Sequence, residues 1–233
     1  MGRLIGAEFR KLFTTWLWLW LLLAAMAITV LFGALAIAFG HAAGNPTPPL
    51  STPAGQRTVF AVGAGAAGPL AAVLGVIGIT GEFRHRTATA TFLASPRRAQ
   101  VAVAKVVTYL LASACYAVVC VAVTIAAAVP WLSARHVHVS LAANGIPGTL
   151  AGVVAAVALY GLIGLALGML VREQVATVVV LLIYLYVIEP VVIRVPGLHS
   201  WANYLPGAAA DALTHVAQAN QAFLPAWQGG AVL

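Results

Sequence analysis

The run WLWLWLLLAAMAITVLFGALAIAF, residues Trp16–Phe39, contains neither a charged residue nor a proline. It exceeds the ~20 apolar residues that a helix needs to cross the hydrocarbon core of a bilayer. Four further apolar segments follow: Thr58–Thr80, Val101–Val129, Thr149–Val171 and Val175–Ile188. Lipid offers no partner to a bare backbone N–H or C=O, so all five are expected to be helices. The whole chain agrees with this reading. Of its 233 residues 62% are hydrophobic and only 7% charged, and its mean hydropathy is +0.99. A soluble domain carries about 25% charged residues, so a water-soluble globule is excluded. The expected fold is all-α, a polytopic integral membrane helical bundle that forms a single transmembrane domain over residues 1–233.

The beginning of the chain is basic, as in a secretory signal, but the apolar run that follows is far longer than a signal's core of about 7–15 residues. It reads as a retained first span. Orientation follows from the cations. With the N-terminus inside, Arg3, Arg10, Lys11, Arg84, Arg86, Arg97, Arg98, Lys105 and Arg172 are cytoplasmic, leaving Arg57, Arg135 and Arg194 outside. Positive charge gathers on the cytoplasmic side, so the expected location is the cell (cytoplasmic) membrane with the N-terminus in the cytoplasm. Five spans then leave the C-terminus outside. The last residues, LPAWQGGAVL, resemble the entrance to another apolar helix, and a sixth span missing from the chain is expected.

The net charge of +7 is assigned to membrane topology and anionic lipid headgroups. No arginine-rich tract or aromatic-interleaved basic patch is present, which argues against nucleic acid as a partner. Cys115 and Cys120 fall in one apolar run, five residues apart, and read as small core residues. His136 and His138 lie in an outer loop; two ligands are a weak metal site, and no metal is expected. Neither a phosphate-cradling GxxxxGK[ST] loop nor an HExxH or GxSxG motif occurs, so the chain carries no nucleotide-hydrolysing or catalytic motif of its own.

Before the first span, Ile5, Phe9, Leu12, Phe13 and Trp16 recur at helical spacing, with Arg3, Arg10, Lys11 and Thr14 largely elsewhere on the wheel. Residues 1–15 are expected to form an amphipathic interfacial helix. Between the second and third spans lies a basic island, GEFRHRTATATFLASPRRAQ, Gly81–Gln100. Gly81 is expected to end the second span. Ser95 as N-cap and Pro96 at the first helical position are expected to open the third helix. Arg97 and Arg98 would then sit in a first turn whose dipole disfavours cations, which calls for anionic lipid or a partner's carboxylates nearby.

The extended stretch GEFRHRTATATFLASPRRAQVAVAK resembles the first cytoplasmic loop of bacterial type-2 ABC exporter permeases. The resemblance rests on Gly81, Glu82, Phe83, Arg84, Arg86, Thr87, Phe92, Leu93, Ser95, Pro96, Arg97, Arg98, Ala104 and Lys105. It extends more weakly to EFRKL ahead of the first span and to the broken region near WANYLPG. The resemblance implies that residues 81–95 form a coupling loop that docks on a separate cytoplasmic ABC ATPase, through Glu82, Phe83, Arg84, His85, Arg86, Thr87 and Phe92, flanked by Arg97 and Arg98. It also implies a dimer with a second permease copy or a paralogue. ATP and Mg would be bound by the ATPase, with no cofactor on this chain. The family has six spans, from which this chain departs.

Residues 189–228 read as an extracellular, re-entrant segment, with a helix expected after Pro206. Glu189, Pro190 and Arg194 are candidates for an outer gate or for holding that segment; a boundary carboxylate beside Arg194 is the simpler alternative. The scarcity of polar residues in the spans favours a hydrophobic or amphiphilic cargo such as a drug, antibiotic or lipid. Gly161, Gly164 and Gly168 share one helix face and predict close packing, with a partner the spacing does not identify. Two rival readings stand: a membrane-embedded enzyme using His136, His138 or Glu189, and a non-transporting membrane scaffold.

Overall fold

In the computed structural model, residues 2–40, 48–84, 98–195, 204–214 and 226–232 are described, and they contain helices and connecting turns without a strand. In chain order the helices are α1 (Gly2–Thr14), α2 (Leu17–Phe39), α3 (Pro53–Gly65), α4 (Gly68–Arg84), α5 (Arg98–Ala134), α6 (Ile146–Val171) and α7 (Gln174–Ile183). A π-helical turn, Tyr184–Ile188, leads from α7 into α8 (Glu189–Arg194). The chain then forms α9 (Pro206–Thr214) and α10 (Ala226–Val232).

Four helical stretches among the described residues are long and apolar enough to cross a membrane: Leu17–Phe39, Ala99–Ala134, Ile146–Val171 and Gln174–Val192, with hydropathies of 2.3 to 2.6. Their outward faces carry large apolar side chains, among them Trp20, Leu31, Phe32, Val179 and Val180. In water such a surface would drive association; in a bilayer it meets acyl chains. These features are compatible with a multi-pass membrane helical bundle.

The expected span Thr58–Thr80 is corrected to two helices, α3 and α4, separated at Ala66–Ala67. Pro69 is the second residue of α4, a position where its missing N–H costs nothing because the first turn has no intrahelical acceptors. Gly81 does not end this segment, since α4 continues through it to Arg84. The third helix runs on past Val129 to Ala134, with Pro130 inside it. The segment Val175–Ile188 is not a uniform α-helix, because its last turn is π-helical.

The core is organised around α4 and α6, which pack along one another. Small residues bring their backbones together. A Cβ at Gly164 would lie 1.8 Å from the carbonyl oxygen of Ala72, and one at Gly75 2.2 Å from that of Gly161. A Cβ at Gly168 would meet Ile79 at 2.4 Å. Gly164 and Gly168 on α6 therefore face α4 of the same chain, whereas a Cβ at Gly161 would meet the Ser113 hydroxyl of α5 at 1.9 Å. Helix α9 also presses on α6, since a Cβ at Gly152 would lie 2.0 Å from the carbonyl oxygen of Leu213.

Around this pair the buried apolar residues stack in layers. At one end Leu12, Leu74, Tyr109, Tyr116 and Leu165 pack together. Ala25, Ala67, Ala71, Cys120 and Val157 fill the middle. Ile37, Leu50, Phe60, Leu132 and Ile146 close the other end. The turn between α6 and α7 needs only Arg172 and Glu173. Arg172 adopts a left-handed conformation (φ 60°), and the Glu173 side chain caps α7 by accepting from the Ala176 N–H.

The close approach of α4 and α6 makes a direct prediction. Gly164→Ala should lower stability by about 1–3 kcal/mol, the range for overpacking, and Gly164→Leu should prevent stable folding. A Cβ at Gly148, near the start of α6, meets nothing within 4 Å, so Gly148→Ala should be close to neutral. Thermal unfolding of the purified variants in detergent checks all three.

Candidate functional site: a buried ion quartet at the foot of the bundle

Four charged side chains from three helices meet at the end of the bundle that carries the N-terminus. Lys105, on the second turn of α5, places its Nζ 2.7 Å from Glu8 Oε2 and 2.5 Å from Glu82 Oε1. Lys11 places its Nζ 2.8 Å from Glu8 Oε1 and 2.9 Å from Glu82 Oε1. Two carboxylates and two ammonium groups thus alternate with no net charge. The side chains of Lys105, Glu8 and Glu82 are 6%, 7% and 9% exposed, whereas that of Lys11 is 45% exposed and forms the outer edge.

Each helix has a local reason to deliver its group. In α1, Glu8 and Lys11 are three residues apart and so lie on one face, the face that also buries Leu12. Phe13 turns elsewhere: it is exposed, stacks on Phe9, and meets Trp18 edge-on with ring centroids 5.0 Å apart. The inward face of α1 is therefore built on a carboxylate as well as on apolar residues. In α4, Glu82 is held in the last turn, one turn past Ile79, which joins the same apolar layer as Leu12. In α5, Lys105 lies four residues from Val101 and from Tyr109, both buried, so its stem shares their face.

Burial by itself raises the Glu8 pKa, but hydrogen bonds and charge from Lys105 and Lys11 outweigh it and hold the carboxyl below its ordinary value. Burial likewise works against the Lys11 ammonium, while its bonds to Glu8 and Glu82 and their charges raise its pKa above the ordinary value. Both groups therefore favour the ion-paired form across the whole neutral range. Ion pairs this dry gain little net stability over apolar residues of equal volume, but removing one partner strands a buried charge at a cost of about 3–5 kcal/mol.

The neighbouring residues extend this cluster. Phe83 packs against the same apolar layer, and the guanidinium of Arg172 lies 5.8 Å from its ring centroid, in cation–π range. The turn between α6 and α7 is thereby fastened to the foot of α4. Tyr116 on α5 donates to the carbonyl of Trp18 on α2.

The sequence-nominated residues divide as follows. Glu82 is turned into the protein and paired with Lys105 and Lys11. Phe83 is half-buried beneath Arg172, and Arg84 is exposed at the end of α4. His85, Arg86, Thr87, Phe92 and Arg97 lie outside the described residues; Arg98 is the first residue of α5, and its side chain also lies outside them.

Glu189 is buried, 4% exposed, and its carboxylate accepts from the Gly207 N–H at 2.5 Å. It occupies the positive N-terminal end of α9, where a carboxylate is favoured. Pro190 follows it in α8, and the Arg194 side chain lies outside the described residues. His136 and His138 are exposed, and no group of three or more potential metal ligands occurs among the described residues.

Sequence reasoning placed Lys105 among the topological cations and gave Glu8 no role. A lysine inside an otherwise apolar helix is costly in lipid, and that was the signal for a buried carboxylate partner. No protein-family model, curated protein or solved structure matches the chain.

Two outcomes follow from the quartet. Lys105→Met should destabilise the fold by about 3–5 kcal/mol, and adding Glu8→Gln and Glu82→Gln should recover most of the loss. Because the Glu8 pKa is lowered, its contribution is present above the ordinary value of 4.5 and is lost as pH falls below it. Because the Lys11 pKa is raised, its contribution is present below the ordinary value of 10.5 and is lost only as pH rises past it. Hydrogen exchange in α1 should therefore stay flat from about pH 5 to 9, after correction for the intrinsic exchange rate, and rise at acid pH.

Proposed function

We propose that the chain is the membrane-spanning subunit of an ATP-driven exporter. A separate cytoplasmic ABC ATPase binds and hydrolyses ATP with Mg, and two permease chains, identical or paralogous, work together in the cell membrane. The N-terminus and the segment between α4 and α5 are cytoplasmic, in keeping with the distribution of Lys and Arg. The cargo is hydrophobic or amphiphilic and moves outward.

The observation that carries this reading is the ion quartet. Residue 84 ends α4 and residue 98 opens α5, so the segment between them, which carries the likeness to a coupling loop, hangs from those two helix ends. Glu82 and Lys105 join the two ends directly, and Glu8 with Lys11 adds α1 to the same assembly. A push from an ATPase on this segment would reach α1, α4 and α5 together. It would then travel along α4 into α6 through the glycine contacts. In this reading Arg84, His85, Arg86, Thr87 and Phe92, with Arg97 and Arg98 at the flank, supply the docking surface. Glu82 and Phe83 position it from within.

Docking through cations is sensitive to charge reversal. Gentle purification of the tagged chain from its native membrane should bring down a Walker-motif ATPase identifiable by mass spectrometry. Arg84→Glu, at an exposed position, combined with Arg86→Glu should remove the ATPase while leaving thermal stability within about 0.5 kcal/mol. Recovery of no ATPase with the unaltered chain would overturn the exporter reading. Recovery of a different cytoplasmic protein would favour the scaffold.

A further inference from the structure

A cavity of about 510 Å³ lies beside the ion quartet, walled by α1, the first turn of α2, α4, Tyr109 of α5 and Gln174 at the start of α7. We propose that it binds a neutral amphiphile, a single acyl or alkyl chain whose head carries hydroxyl groups, as in a monoacylglycerol or a fatty alcohol. The proposal goes beyond the export reading and does not rest on it.

The quartet excludes a charged guest. Among the described residues, Glu8, Lys11 and Glu82 are the charged ones that line the cavity. Together with Lys105 their charges cancel, through ion pairs of 2.5 to 2.9 Å. An ion entering here would give up its hydration and meet no unopposed counter-charge, which is costly. The opposite part of the wall is carbon, supplied by Leu12, Leu17, Trp18, Leu74 and Ile77. Ligand sites in proteins occupy about 300–1,000 Å³ and are mostly apolar with a few placed polar groups; this cavity has that size and that lining.

Unused hydrogen-bonding capacity selects the head. Tyr109 is only 4% exposed and lines the cavity, yet its hydroxyl donates to no group among the described residues. A buried hydroxyl left without a partner is destabilising. Its oxygen lies against Gly78, another lining residue: a Cβ there would stand 1.8 Å from it, so the absence of a side chain at Gly78 makes room for the hydroxyl at the cavity wall. Gln174 also lines the cavity, and its amide donates to nothing among the described residues. The Thr15 hydroxyl donates to the Leu12 carbonyl and keeps its lone pairs. Lys11 directs two of its three N–H groups to Glu8 and Glu82, which leaves one. Donors and acceptors are thus both left over, and a hydroxyl, with one O–H and two lone pairs, serves both; an ester carbonyl only accepts. Leu17 is exposed at the surface, so a chain that lies along Leu74, Ile77 and Leu17 leads out of the cavity.

The test uses the purified full chain in lipid nanodiscs, without any ATPase, with empty nanodiscs as the background. The probe is radiolabelled monooleoylglycerol. The competitors keep its chain and change its head: unlabelled monooleoylglycerol, methyl oleate, the anion oleyl sulfate and the cation oleyltrimethylammonium. Binding should saturate, and the unlabelled probe should displace it at concentrations about tenfold or more below those the other three require. Tyr109→Phe should weaken binding by about threefold to tenfold, the worth of one hydrogen bond, and leave thermal unfolding unchanged, whereas a merely structural Tyr109 would leave binding untouched. A Cβ on Gly81, which also lines the cavity, meets nothing within 4 Å, so Gly81→Leu adds bulk without a clash at the backbone and should abolish binding. Absence of saturable binding, equal competition by the methyl ester or by either ion, or binding unmoved by Tyr109→Phe would overturn the proposal. Should the variants not fold, a photoreactive monoacylglycerol on the unaltered chain decides: crosslinks within 11–18 and 74–81 support the site, and crosslinks elsewhere refute it. Probe binding by a chain that recovers no ATPase would leave this site standing and remove the exporter; an ATPase without probe binding would do the reverse.

Discussion

Lys105 is the hinge of this structure's logic, because one buried ammonium satisfies carboxylates from two other helices. Without it, Glu8 and Glu82 would face each other across an apolar layer with only the half-exposed Lys11 to separate their charges. With it, α1 has a fixed docking register on the bundle, and the ends of α4 and α5 are tied to each other. Apolar contacts alone would hold α1 less specifically, since Leu12 and Phe9 can slide over a greasy surface at little cost. The pairing requires charges of the right sign at the right depth, so its contribution is to geometry more than to net stability.

From that foot, the rest of the bundle inherits its arrangement through backbone contact. α4 carries Glu82 at its end and the glycine seam with α6 along its length, so the two constraints act on one helix. Within a bilayer, where apolar burial gives no advantage over lipid, close packing at small residues is a main source of helix association. Gly75, Gly161, Gly164 and Gly168 provide it, and the partly buried Phe83 with Arg172 ties the following turn to the same foot. The far side of the molecule follows a different design, in which broken helices surround a cavity and Glu189 stabilises the start of α9.

The apolar helices were legible in the sequence because lipid imposes one requirement on every spanning segment. Trp16–Phe39 and Thr149–Val171 correspond closely to α2 and α6 for that reason. The helix after Pro206 was legible from proline's preference for a first turn. The division of Thr58–Thr80 was not taken from the absence of charge, which continues through GAGAAGP; the Gly-rich run and Pro69 carried the information. The π turn has no simple sequence signature, since Tyr184–Ile188 reads as ordinary apolar helix. The quartet was the least legible of all. Glu8 and Lys105 stand 97 residues apart, and Lys105 looked like any cation flanking a span. The pairing depends on α1 folding back onto the bundle, a tertiary event that no local pattern encodes. Likewise, Glu189 was picked out by its cost near a span, but its partner, the Gly207 N–H, is a backbone group invisible to side-chain patterns.

The claim on which the account depends is that α1 and the foot of α4 move as one body through Lys105. The direct measurement is a pulsed electron-resonance distance between spin labels at positions 10 and 84, both exposed, in nanodiscs and on a background with Cys115 and Cys120 replaced by serine. The account predicts one narrow distance distribution for this protein and a broad one when Lys105→Met is added. A broad distribution with Lys105 in place, or a narrow one that survives its removal, would contradict it.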